Sequence, residues 1–320
     1  LELTVDVETF AVLGGFVGPA ETVNPCVTGV NNTVLVGGAI SSDRLAESTA
    51  PWVQGAALRD RRLDAFLDLL AADGRLEGAN VAVVGSVEQA SVAELAPAAL
   101  EARGVTPVTV IQNEIPQGDI QAENDNWQVF AERMSTDGAD AVLVIGSGQA
   151  AVRGIAAAGL DVEVWVLEVN DLNNLGDNTP KELADGAITI TALNEQDRWD
   201  HPSMARCRDT FDAANDIDYL DPNAVADGDE RWFNSIMNHC RDLTLVEILA
   251  TNAGPELTHD SFAAAIESAG DIDLPGQPFS SLGPDKFDSN DSFRLSVFDA
   301  AASDKGELVP LTDILDGTAG

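Results

Sequence analysis

Five short apolar runs, each closed by a turn, set the strongest limit on this chain. They are "NVAVVGS" (80–86), "TPVTVIQNEI" (106–115), "ADAVLVIG" (139–146), "VEVWVLE" (162–168) and "GAITITALN" (186–194). Runs that are apolar at successive positions present no polar face, so they belong to strands covered on both sides. Helical patterns fill the gaps at 89–103, 123–137 and 148–158, closed by Gly104, Gly138 and Gly159. Glycine just past a helix end accepts the left-handed turn that stops it. Two earlier strands, "FAVLGG" (10–15) and "TVLVGG" (33–38), precede an amphipathic helix at 56–74 whose apolar face holds Leu63, Phe66, Leu67 and Leu70. A weaker helix is expected near 179–185. Strand and helix in alternation predict an α/β chain built on parallel sheets flanked by helices.

The pattern changes after residue 195. Residues 202–216 and 229–253 read as long helices without a strand between them, and a third helix starts at the Thr258 cap. From Phe279 onward the chain alternates and turns like a short antiparallel ribbon. The opening segment lacks the strand and helix that ought to precede it, so the natural chain is expected to begin several tens of residues earlier. With 320 residues there is room for two cores.

The formal net charge is −37, and Lys181, Lys286 and Lys305 are the only lysines. Such a surface repels phosphate backbones and anionic lipid, which excludes nucleic acid and membrane surfaces as partners. No window approaches 18 apolar residues, and no basic stretch followed by an apolar one marks a signal peptide in these residues. His201, His239 and His259 show no metal spacing, and there is no C-x-x-C, so no metal is expected. Cys207 and Cys240 lie on two helical stretches. They are either bridged, which implies an oxidising compartment, or two buried thiols. A bridge leaves Cys26 odd, with a partner upstream of Leu1.

"VLVIGSGQAAVRG" (142–154) fits G-x-G-x-x-A at 146–151, and Glu168 lies 20 residues beyond Gly148, where a dinucleotide site places its ribose-binding acid. An NAD-dependent oxidoreductase is therefore one reading. Against it, several strands of this chain end in similar glycine turns, and this one is preceded by two complete strand–helix units. G-x-S-x-G and the phosphate-binding P-loop are absent. What the turns share is glycine, serine or an amide at a strand's carboxyl end, where open α/β sheets bind ligands. Helix N-termini there offer N–H donors to an anionic group, while Glu168 or Asp171 suits a cationic one. A small zwitterion fits such loops.

The order "FAVLGGFVGPA", "NNTVLVGGAISS", "APWVQGAALRDRRLDAFLDLLA", "GANVAVVGS", "GADAVLVIGSGQAAVRGIAAAGLDVEVWVLE", "ADGAITITALN" and "FSSLGPDKFDSNDSFRLSVFD" resembles the type 1 periplasmic binding proteins, in particular the branched-chain amino-acid type of ABC-transporter substrate-binding protein. The resemblance implies two Rossmann-like lobes joined by a three-crossing hinge. Lobe 1 takes 1–53 and 191–275, lobe 2 takes 54–190, and 276–320 carry a hinge crossing and the ribbon. It also implies a monomeric, non-catalytic receptor outside the cytoplasmic membrane. That receptor binds a small polar solute between its lobes by closure, hands it to an ABC-transporter permease, and uses no cofactor. The same fold also serves ligand-sensing domains of receptors.

By the resemblance, the loops at Gly15, Phe16 and Gly18 and at Ala39, Ser41 and Ser42 hold a ligand carboxylate, and Glu168 takes an ammonium. Ser86, Gln89, Ser147 and Gln149 are expected to add polar contacts. The loops after 86 and 146 carry no aromatic residue, unlike amino-acid binders, and the single tyrosine is Tyr219. Phe16 and Trp52 are the candidates for apolar ligand surface, with core packing as the alternative for each.

Overall fold

The protein is described from a computed structural model, which covers residues 9–15, 23–38, 41–114, 120–176, 178–215, 220–224 and 233–317. The chain divides into two compact units: Leu1–Leu58, Ala192–Ser292 and Leu315–Gly320 in the first, Arg59–Thr191 and Phe293–Ile314 in the second.

The first unit opens with β1 (Ala11–Gly14), β2 (Val34–Gly37), α1 (Ser42–Ala46) and β3 (Trp52–Val53). These strands form a parallel sheet in the order β1-β2-β3, with Gly14 beside Gly37 and Leu35 beside Trp52. The second unit follows as α2 (Arg59–Ala72), β4 (Val81–Ser86), α3 (Ala90–Glu101), β5 (Thr109–Asn113), α4 (Ile120–Asp137), β6 (Ala141–Ile145), α5 (Gly148–Ala158), β7 (Glu163–Val166), α6 (Asn170–Asn173) and β8 (Ile188–Thr191). The first unit resumes with α7 (Glu195–Asp200), α8 (Ala205–Ala214), α9 (Phe233–Ala253), α10 (His259–Glu267), β9 (Gly270–Asp271) and β10 (Ser281–Leu282). Last come β11 (Ser292–Asp299), β12 (Glu307–Pro310) and the two-residue β13 (Leu315–Asp316).

In the second unit the sheet runs β12-β11-β8-β7-β6-β4-β5. β5, β4, β6, β7 and β8 are parallel, so all their carboxyl ends lie along one edge. Every residue of β4 and β6 is buried, as the apolar runs Val81–Val84 and Ala141–Ile145 require. One face packs under Trp127 and Met134 of α4 and Ala151 and Ile155 of α5. Gly154 lets α5 lie directly against Trp127. In the first unit α9 and α10 cover the small sheet: Leu245, Leu249, Phe262 and Ile266 pack on Val34 and Val36.

Three expectations change. The ribbon is present, with Val297 of β11 beside Val309 of β12, but β11 also joins the sheet by antiparallel pairing with β8, Leu295 beside Ile190. The helix expected near 179–185 is a single 3-10 turn, Lys181–Leu183, since Pro180 and a short polar sequence offer no apolar stripe. A helix not foreseen, α7, is set by an Asn194–Asp197 capping box.

Cys207 of α8 and Cys240 of α9 form a disulfide, with Cα atoms 6.1 Å apart, beside Met204, Phe233 and Met237. The bridged alternative therefore holds, and Cys26 is an exposed free thiol. Among the described residues no helix is long and apolar enough to cross a membrane, and no group of His, Cys, Asp and Glu is arranged to hold a metal ion.

Candidate ligand-binding loops

In the first unit β1 and β2 each end in a double glycine. Gly14, Gly15, Gly37 and Gly38 have φ of +97°, +61°, +100° and +81°, a region other residues enter only with strain. The two turns touch: a Cβ on Gly15 would stand 3.2 Å from the Gly38 Cα, and one on Gly37 would stand 3.1 Å from the Gly14 Cα. The turn backbones thus form one small surface at the strand ends. Ser41 is buried just before α1, and its hydroxyl donates to the Asp43 carboxylate, while Ser42 is exposed. Phe16, Gly18, Ala39 and Tyr219 lie outside the described residues. Trp52 is 1% exposed and its indole N–H donates to the Gly37 carbonyl at 2.9 Å, so it packs in the core and braces the turn. Two more side chains reach these turns: Asn24, whose Oδ1 would stand 3.3 Å from a Cβ on Gly15, and Asp242 of α9, whose Oδ2 would stand 2.9 Å from a Cβ on Gly37.

In the second unit Ser86 and Asn113 are paired final residues of β4 and β5. Ser147 follows β6 and Glu168 follows β7, so all four lie along the carboxyl edge of the parallel sheet. Ser86 is 1% exposed and its Oγ has no hydrogen-bond partner; the Gln89 Oε1 is also buried without one. Both flank Gly146, where a Cβ would stand 3.1 Å from the Ser86 Cβ and 3.5 Å from the Gln89 Cδ. Ser147 takes a left-handed φ of +58°, a strained choice for a residue with a Cβ. Ser86, Gln89, Gly146 and Ser147 are therefore brought to one edge, where the Ser86 Oγ and Gln89 Oε1 have no partner.

The other two expected residues have protein partners. Gln149 donates to the Asn174 carbonyl at 2.8 Å and accepts from the Gly176 N–H at 3.1 Å, which clips the loop after α6 to α5. Glu168 meets Arg62 at 3.2 Å and Arg59 at 3.5 Å, both from the first turn of α2. It is one member of a three-charge group rather than a lone carboxylate. Asp171 also has a place of its own: it accepts the Gly148 N–H at 2.7 Å. Burial pushes its carboxyl up to about 6, the Gly148 N–H opposing and Glu168 adding to the rise.

No family model matches the chain, and no curated protein matches it. Solved structures do match along nearly its full length. A leucine-, isoleucine-, valine-, threonine- and alanine-binding protein from Brucella ovis, in a closed conformation, aligns with TM-score 0.67 and 13% identity, covering 99% of this chain and 80% of that one. A solute-binding protein of an ABC transporter from Rhodopseudomonas palustris BisB5, in complex with 3,4-dihydroxybenzoic acid, aligns with TM-score 0.68 and 17% identity, covering 99% and 81%. A third, from R. palustris in complex with 4-hydroxybenzoate, gives TM-score 0.69 and 14% identity over 98% and 80%.

The chain has the type 1 periplasmic binding protein fold. In this fold the G-x-G-x-x-A stretch is an ordinary strand-to-helix turn, and the dinucleotide reading is not favoured. The Asp171 carboxylate occupies the N–H of Gly148 at the start of α5, where a pyrophosphate would need it. Glu168, the supposed ribose-binding acid, is held by Arg59 and Arg62. The pattern at 146–154 is kept for packing: Ala151 is fully buried and Gly154 meets Trp127.

Reasoning from the sequence missed Arg59, Arg62 and Asp242. The two arginines lie at i and i+3 on the first turn of α2, a spacing that aims them at one point. Asp242 stands at i, with Leu245 and Leu249 at i+3 and i+7, an acid in an apolar stripe.

Proposed function

We propose that this protein is a solute-binding receptor of an ABC importer, working outside the cytoplasmic membrane and delivering a small polar molecule to a permease. The observation that carries the reading is the pair of buried, unpartnered polar atoms, Ser86 Oγ and Gln89 Oε1, at the strand-end edge where this fold offers its loops. A buried polar atom left unpaired costs about 1–3 kcal/mol, which a ligand donor or acceptor recovers. Receptors of this kind perform no chemistry, so the protein is read as a non-enzyme acting as a monomer, without a cofactor.

Contacts are assigned to the backbone at Gly15, Phe16, Gly18 and Ala39, to Ser41 and Ser42, and to Ser86, Gln89 and Ser147. Gln149 and Glu168 take part through the loop clip and the arginine pair that they hold. The structural neighbours bind branched-chain and small amino acids, 3,4-dihydroxybenzoate and 4-hydroxybenzoate. All are small carboxylates bearing a hydrogen-bond donor, and that is the ligand class proposed here. The disulfide agrees with an oxidising compartment.

The test is calorimetric titration with L-leucine, 4-hydroxybenzoate, a neutral amide and NADH. The reading expects saturable one-site binding of a small solute and none of NADH. Binding of NADH alone would overturn it.

A further inference from the structure

We infer that Asp242 contacts the bound solute directly, its carboxylate accepting a hydrogen bond from a donor group (an ammonium, amide N–H or hydroxyl) at the carboxyl ends of β1 and β2. The inference rests on the receptor reading above and adds to it a residue and the polarity of the group it takes.

Three observations carry it. First, Asp242 interrupts a core stripe. Leu245 and Leu249, one and two turns further along α9, are fully buried against Val34 and Val36 of β2. Asp242 continues that face to the end of the strand, at Gly37. A leucine there would complete the stripe. Second, the side chain is buried without a hydrogen-bonding partner. Asp242 is 7% exposed, and among the described residues no hydrogen bond or ion pair reaches it. Arg241 turns away along Gly55 and donates to the Asn238 side chain at 3.0 Å, and His239 is exposed. Burying a charge without a partner costs stability, and such groups gather at functional sites. Third, the place is built for close approach, because Gly14, Gly15, Gly37 and Gly38 present bare backbone there. Burial also pushes the Asp242 carboxyl above its ordinary value, with Arg241 and His239 opposing, as a missing donor would leave it.

The other buried side chains described at these turns, Asn24 and Ser41, are neutral, and the further charge described there, Asp43, is also negative, so Asp242 sets a negative local sign. It repels a ligand carboxylate and favours a donor. The resemblance alone gives these loops the ligand carboxylate; the buried acid reverses that assignment.

The experiment compares the wild type with Asp242→Asn and Asp242→Leu, first without solute and then with two matched pairs: L-leucine against 4-methylpentanoate, and 4-hydroxybenzoate against benzoate. Without solute, both variants should melt at or above the wild-type temperature, since each removes an unpaired buried charge. With solute, Asp242→Asn should weaken the donor-bearing member of the bound pair tenfold or more and leave its donor-free partner within about twofold. An unchanged affinity for the donor-bearing solute overturns the inference, as does a melting temperature several degrees lower in both variants. If the wild type binds none of the four, the receptor reading fails in this class and the inference with it. Binding by the wild type with unaltered binding by Asp242→Asn sinks the inference alone.

Discussion

The carboxylate of Asp171 accepts the backbone N–H of Gly148 at 2.7 Å, so the anion at the N-terminus of α5 comes from the protein itself. A cofactor phosphate would have to displace it. The same contact gives a pH signature. The folded carboxyl is raised from 3.8 to about 6, so the folded state holds its proton more tightly than the unfolded chain. The associated stability is full below pH about 4 and is lost as pH rises through about 6. A rise of that size corresponds to about 3 kcal/mol. Asp171→Asn should keep an acceptor for Gly148 and remove this fall. Denaturation of both proteins between pH 4 and 7 checks it, and parallel curves would contradict it.

Ser86 tests whether the unpartnered hydroxyl is kept for a ligand. Ser86→Ala should leave the unliganded melting temperature unchanged or slightly higher, because it deletes a buried group that bonds to nothing. Solute affinity should fall about tenfold, the equivalent of about 1.4 kcal/mol. Calorimetry on the same preparation reads both quantities.

Glu168 should behave as a structural charge. Its side chain is 15% exposed, between Arg59 at 12% and Arg62 at 20%. Glu168→Gln leaves two poorly solvated guanidinium groups facing each other and should cost about 2 kcal/mol of stability. Arg62→Met on top of it should then cost much less than Arg62→Met alone. Additive losses in this double-mutant cycle would show that the three groups do not act together.

The Cys207–Cys240 bridge closes a loop across 33 residues. Replacing both with serine should lower the stability of the first unit by about 3–4 kcal/mol in the chain-entropy model. Thermal unfolding with and without reductant should show the same loss in the wild type and none in the double variant.

Much of the second unit was legible because its inner strands are short apolar runs closed by turns: "VAVV" and "AVLVI" are apolar at every position and are buried at every position. The tail was harder. "SFRLSVFD" alternates Arg294 and Ser296 with Leu295 and Val297, which reads as a free ribbon, and its pairing with β8 is set by residues a hundred positions away. α7 was missed because "EQDRWD" is polar all round, so only its capping box announces it. At the site, the turns were readable from their glycines and serines. The partners of Glu168, Gln149 and Asp171 were not, since each comes from another element. Asp242 shows the limit most clearly: whether an acid beside Leu245 faces water or a strand end depends on how α9 is rotated against β2.

The most direct measurement is a thermal-shift screen of the purified protein against amino acids, small carboxylates, hydroxybenzoates, amides, polyamines and NAD(H). A solute at about 100 times its Kd adds about 2.7 kcal/mol, which should move the midpoint by a few degrees. The account predicts a shift with one class of small carboxylate bearing a donor, and none with NAD(H). A shift with NAD(H), and with no small solute, would contradict it.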